Sequence, residues 1–127
     1  MAERISSGGR WEEAIGYSRA VVAGPWVLVS GSTAATPDGV VEHEGDPYQQ
    51  TLAAFRVAER ALARAGCTLA DVVRTRMYVV HTSDSEAVGR AHAELFGDVR
   101  PAATMVGVGG LIDRRMLVEV EVDAYRG

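Results

Sequence analysis

The sequence predicts an α+β domain: a mixed β-sheet with two helices packed on one of its faces. Three observations predict it. Apolar residues change between period two and period 3.6 in the order β-β-α-β-α-β-β along the chain. The stretch after Asp46-Pro47 places Leu52, Phe55, Ala58, Leu62 and Ala65 on a single helical face. The run Leu117 to Asp123 alternates valines with Glu119, Glu121 and Asp123, a strand with one apolar and one acidic face. A chain of 127 residues with 47% hydrophobic and 24% charged side chains fits a single globular domain over 1–127.

Each element has a local reason. Val21-Val22-Ala23 and Trp26-Val27-Leu28-Val29-Ser30 flank Gly24-Pro25, a pair suited to a tight turn between strands. Residues 31–45 are polar and loop-like, with Pro37-Asp38-Gly39 as a turn signal. Asp46 is a good N-cap, Pro47 suits the first helical position, and Gly66 is the expected stop. Val72 to His81 is rich in β-branched residues and alternates. Ser83-Asp84-Ser85-Glu86 has the pattern of a capping box opening a second helix, with Val88, Ala91 and Leu95 inward and Gly97 at its end. Strands at about Ala102–Val108 and Met116–Ala124 complete the order. Two helices on one face leave the other bare, and Trp26, Leu28, Met105, Val118, Val120 and Val122 are too many apolar residues to pack under them. An oligomer that covers the bare face is therefore expected.

Composition excludes several classes of function. The net charge is -4 and all 13 basic residues are arginine. Nucleic-acid binding by phosphate neutralisation is not expected. Without lysine there is no Schiff-base lysine and no Walker-type phosphate loop. Cys67 stands alone and reads as a packing residue. The apolar stretch from Ala20 to Val29 is broken by Gly24-Pro25 and falls short of the ~20 residues of a membrane span. With no leader pattern at the start, a cytoplasmic protein is expected. His43, His81 and His92 lack metal-ligand spacing, so no metal site is expected, and His92 reads as a surface or interface residue.

The candidate site residues are polar groups at strand ends. Glu119, Glu121 and Asp123 share one face and suit acid–base work, but they equally suit pairing with Arg74 and Arg76 across the sheet. Ser30-Gly31-Ser32 follows a strand, where glycine lets the backbone approach a ligand; the same residues also read as a strand stop. Tyr17 is a candidate small-molecule contact, and Arg19 can pair bidentately with a carboxylate.

Four stretches together resemble the Rid family (reactive intermediate deaminase, or YjgF). Ile15-Gly16-Tyr17-Ser18-Arg19-Ala20-Val21 is similar to its Ile-Gly-Pro-Tyr-Ser-Gln-Ala-Val run, without the proline and with arginine for glutamine. Leu28-Val29-Ser30-Gly31 and Ala70-Asp71-Val72-Val73 also resemble family segments. Arg100-Pro101-Ala102-Ala103-Thr104 with Leu117-Val118-Glu119-Val120-Glu121 resembles its C-terminal signature. The resemblance implies a chorismate-mutase-like fold, assembled as a homotrimer around a central barrel with three clefts between subunits. It implies hydrolysis of enamines or imines to 2-keto acids and ammonia, without cofactor. A glutamate matched by Glu119 positions water, and an arginine grips the substrate carboxylate.

That arginine is replaced by Ala103. Gly89 replaces an asparagine of the second helix, and Met105 stands where cysteine is frequent. The residues expected to line the cleft are Tyr17, Arg19, Ser30, Gly31, Ala103, Thr104, Met105 and Glu119, with Glu119 catalytic. The expected function is that of an arginine-less Rid-like protein binding a small molecule, with hydrolysis of an imine, enamine or related intermediate. Arg19, Arg114 and Arg115 are the candidates to replace the lost guanidinium. The alternatives are a non-catalytic ligand- or partner-binding trimer and an endoribonuclease.

Overall fold

The computed structural model describes residues 2–127. The chain runs β1 (Glu3–Ile5), α1 (Arg10–Ile15), β2 (Ala20–Ala23), β3 (Trp26–Ser32), α2 (Pro47–Arg64), β4 (Val72–Val79), α3 (Ser85–Phe96), β5 (Ala102–Gly107) and β6 (Val118–Tyr125), with 3-10 turns at Leu69–Asp71 and Thr82–Asp84. The six strands form one sheet in the order β1-β2-β3-β6-β4-β5. Every pairing is antiparallel except β4 with β5, which the α3 crossover makes parallel.

Helix α2 starts and stops where the sequence says. Asp46 accepts a hydrogen bond from the backbone N–H of Gln49, Pro47 is the first helical residue, and Gly66 takes the left-handed conformation after the last turn. Helix α3 starts differently. Its N-cap is Asp84 with no side-chain cap, because residues 82–84 already wind as a 3-10 turn. The capping box lies instead at Thr68, whose side chain and backbone exchange bonds with the turn closed by Asp71. Strand β1 and the short helix α1 stand outside the expected order. Strand β3 runs two residues further than expected, to Ser32.

Alternation sorts the sheet into two faces. Val27, Val29, Met77, Val79, Val118, Val120 and Val122 are buried with Phe55, Ala58, Leu62, Val88 and Phe96 of the helices. This corrects the expected source of the bare face. Val118, Val120 and Val122 all pack beneath the helices, with Met105 beside Met77 on the same side. The open face carries Trp26 and Leu28, each 45% exposed. It also carries charge pairs: Arg76 meets Asp123 at 3.2 Å, and the Tyr78 hydroxyl donates to Glu121 at 2.6 Å. His92 is not a surface residue. Its ring is half-buried against Phe55 and Phe96 and hydrogen-bonds the Thr75 hydroxyl at 2.8 Å, and burial holds the imidazole toward its neutral form.

Candidate functional site

Strands β3 and β6 are antiparallel, so the end of one lies beside the beginning of the other. At this end of the sheet the chain leaves β3 after Ser32 and enters β6 at Val118. A β-bulge between Val29 and Ser32 breaks the ladder, and Gly31 falls inside it. Glu119, the second residue of β6, lays its carboxyl group directly over the Gly31 backbone. A Cβ on Gly31 would sit 2.9 Å from Glu119 Cδ and closer still to Oε2, so any side chain there would displace the carboxyl group from this seat.

The segment between α1 and β2 supplies the facing wall. Helix α1 ends at Gly16, whose φ of 92° turns the chain sharply, and the N–H groups of Gly16 and Tyr17 both bond the Glu12 carbonyl at 2.9 Å. The Glu12 side chain accepts from the Ser7 N–H at 3.2 Å and from the Ser7 hydroxyl, which ties β1 to α1. Burial pushes the Glu12 carboxyl up, but these hydrogen bonds outweigh it and hold the group below its usual range. Beyond the turn, Ser30 donates its N–H to the Arg19 carbonyl at 2.9 Å and its hydroxyl to the Ser18 carbonyl at 2.6 Å. Arg19 Nη2 donates to the Gly31 carbonyl at 2.6 Å. Its guanidinium carbon lies 5.7 Å from the Tyr17 ring centre.

Tyr17, Arg19, Gly31 and Glu119 therefore converge on one cavity of about 490 Å³, within the range of roughly 300–1,000 Å³ usual for small-molecule sites. Ile5, Trp11, Ile15, Val57, Ile112 and Met116 supply apolar wall. Burial raises the Glu119 carboxyl above its usual range, the neighbouring Glu121 carboxylate adds to the rise, and the Arg19 guanidinium offsets part of it. A carboxyl shifted this way suits proton exchange with water or with a leaving amine. Among the described residues no cluster of His, Cys, Asp or Glu could hold a metal ion.

The other expected residues lie elsewhere. Ser30 braces the wall through Ser18 and does not line the cavity. Ala103, Thr104 and Met105 are on edge strand β5, paired with Thr75, Arg76 and Met77 of β4. Ala103 shares the helix-side face with Thr75, whereas Glu119 is on the opposite face, two strands away and three registers along. Sheet spacings put the two on the order of 14 Å apart. Of the three candidate arginines only Arg19 reaches the cavity. Arg115 is held by Asp113 at 2.7 and 2.9 Å, and Arg114 is exposed. Glu12 and Trp11 are lining residues that the sequence reading missed; the i, i+4 pair Trp11 and Ile15 was the available signal.

Comparison with known proteins fits this architecture. Residues 9–126 match the family model described as Endoribonuclease L-PSP. The chain belongs to the YjgF/Rid family. It is 52% identical over 124 residues to the protein SCO2049 of Streptomyces coelicolor, covering 98% of this chain and 92% of that one. It is 32% identical over 109 residues to the 3-aminoacrylate deaminase RutC of Acinetobacter baylyi, covering 86% of each. The crystal structure of Rv2704 from Mycobacterium tuberculosis, a member of the YjgF/YER057c/UK114 family, superposes with a TM-score of 0.89 at 47% identity, covering 98% of this chain and 99% of that one.

Within this YjgF/Rid chain, the residues carrying the family resemblance fall into two groups. Tyr17, Ser30, Gly31 and Glu119 gather at one end of the sheet, and Pro101-Ala102-Ala103-Thr104 form the far edge. No helix among the described residues is long and apolar enough to cross a membrane.

Proposed function

We propose that this protein hydrolyses a reactive imine, enamine or related intermediate in the cavity bounded by Tyr17, Gly31 and Glu119, with Glu119 handling the proton of the attacking water. The observation that carries this reading is the seat of Glu119. Its carboxyl group lies over Gly31 in a part-buried position that raises its pKa, facing a cavity of small-molecule size. Water adds to the C=N carbon as Glu119 takes its proton. The imine enters protonated on nitrogen, so this addition gives a neutral carbinolamine. The Glu119 acid then returns its proton to that nitrogen, and the C–N bond breaks to release ammonia. The hydroxyl proton passes back to the Glu119 carboxylate as the C=O bond forms. The deaminase RutC, a relative at 32% identity, supports a deaminating reaction.

The same reading places the site between copies in a homotrimer. The open sheet face with Trp26 and Leu28 would be covered, and β5 of a neighbouring copy would bring Ala103, Thr104 and Met105 to the cavity. Light scattering is expected to give three times the 13.5 kDa chain mass; a monomer would remove β5 from the site.

The direct test is ammonia release from freshly generated 2-aminoacrylate and from imines of larger amino acids. Turnover is expected on at least one, with a loss of about 100-fold or more in Glu119→Gln. Equal rates in the two proteins would end the catalytic assignment and leave a non-catalytic binding protein. That second reading has one specific support, the alanine at 103, where the family resemblance implies an anion-binding arginine. Ribonuclease action fits poorly with a net charge of -4 and no lysine.

A further inference from the structure

We infer that the guanidinium of Arg19 is the anion-holding group of this cavity, and that its ligand is a carboxylate carrying a bulky apolar tail. The inference rests on the proposed site and names the chemistry that site selects. Arg19 is 9% exposed and lines the cavity. Nη2 bonds a backbone carbonyl, Nε has no acceptor, and among the described residues no carboxylate lies within ion-pair distance of the group. A guanidinium has five N–H donors in a planar fork. One that is nine-tenths buried with a single protein acceptor and no counter-ion is costly unless something else completes it. A carboxylate matches the fork.

Rival partners are close but held off. Glu119 and Glu12 both feel the Arg19 charge. Glu119 is seated on Gly31, and Glu12 is engaged by Ser7. Gly31 thus fixes both working groups: its carbonyl anchors Arg19 and its missing side chain admits the Glu119 carboxyl. In a 2-imino acid the carboxylate carbon is bonded to the imine carbon. An acid gripped by Arg19 therefore presents C2 beside Glu119, where water must add.

The rest of the cavity sets the tail. A three-carbon acid would fill a small part of about 490 Å³. Ile15 and Ile112 are each 63% exposed on the cavity wall, with Trp11 and Val57 nearby. An aromatic or branched side chain would cover this surface. Arg60 and Arg64 also line the cavity, but both are exposed, and Arg64 is engaged by the Ser6 carbonyl, so neither offers a desolvated grip.

Calorimetric titration with phenylpyruvate, its neutral amide and pyruvate tests the assignment. The variant is Arg19→Gln, which carries the family's usual residue, with Arg19→Lys as a second. The wild-type protein is expected to bind phenylpyruvate about tenfold or more tighter than pyruvate. Arg19→Gln should weaken phenylpyruvate by about tenfold or more while shifting the amide by less than about twofold, and Arg19→Lys should recover part of the loss. Equal weakening of acid and amide would mean a merely structural role. No weakening, or no binding of any acid by the wild type, would overturn the clamp. Equal affinity for pyruvate and phenylpyruvate would overturn the bulky tail. If Arg19→Gln melts below the assay temperature, Arg19→Lys with the same acid and amide decides.

Imine hydrolysis by Glu119→Gln is scored separately. Acid binding that depends on Arg19 without hydrolysis leaves the clamp standing and ends catalysis. Hydrolysis that depends on Glu119 but ignores Arg19→Gln does the reverse.

Discussion

The β3–β6 end of the sheet and its β5 edge both carry residues of the family signature, yet they are built differently. At the β3–β6 end, a bulge, a glycine, a buried arginine and a part-buried glutamate interlock through short contacts. Along β5, Ala102, Ala103 and Thr104 are exposed, with a paired neighbour on one side only. A preorganised site needs its working groups fixed by a supporting shell. Within the chain only the first region has that shell. The family resemblance implies an anion grip at the position of Ala103, on the edge strand. Our reading of this chain moves the grip to Arg19, beside the acid.

The largest effect is expected from the residue that holds the first region together. Gly31→Ala would push a methyl group into the Glu119 carboxyl. That carboxyl is the end of a flexible side chain and can swing aside, so stability should fall only modestly, by about 1–2 kcal/mol. Activity should fall far more, about 100-fold, because the acid leaves the position where water is attacked. Steady-state turnover and thermal melting, measured together, check the split. A large loss of stability with full activity in the folded fraction would show that the glycine serves packing alone.

The comparison itself can be broken by moving the charge. Ala103→Arg in the Arg19→Gln background returns a guanidinium to the edge strand. If β5 of a neighbouring copy closes the cavity, the double variant is expected to regain about tenfold in turnover over Arg19→Gln. Because Ala103 is on the opposite face from Glu119 and on the order of 14 Å away within one chain, any rescue must come from a second copy. Absence of rescue in a double variant that sediments as a trimer would show that the two regions never meet.

Much of the fold was legible because it rests on local chemistry. The Asp46-Pro47 start, the Gly66 stop and the valine alternation of β6 need only neighbours in sequence to decide them. Strand β1 and helix α1, of three and six residues, are too short to show a period. The Ser83 signal misled because a cap depends on backbone conformation, and residues 82–84 were already wound into a turn. At the site, Tyr17, Arg19, Gly31 and Glu119 were each visible as chemistry, and only the family resemblance grouped them in one cleft. What joins them is the antiparallel register of β3 with β6 and the bulge at Gly31, and both are long-range. The separation of Ala103 from Glu119 was hidden for the same reason, since it depends on β6 lying between β3 and β4.

The smallest expected effect concerns stability, and it divides the cavity's own carboxylates. A carboxyl whose pKa rises on folding contributes stability that is present below its unfolded pKa and is lost as pH rises through the folded value. Glu119 is of this kind, so at neutral pH its charged form costs the fold something. Glu119→Gln should melt on the order of 2 °C higher than the parent at pH 7.5, with the gap narrowing as falling pH protonates the carboxyl. Glu12 has the opposite sign. Its lowered pKa contributes stability above the unfolded value, and that contribution disappears as pH falls through the folded one, so Glu12→Gln should melt lower at pH 7.5. Ala103→Gln on the edge strand introduces no titrating group and should show no pH-dependent gap. Paired melts of the three variants across pH 4 to 7.5 separate these cases. A Glu119→Gln protein that melts below its parent at neutral pH would mean that the carboxylate is stabilised where it sits and is not strained toward proton exchange.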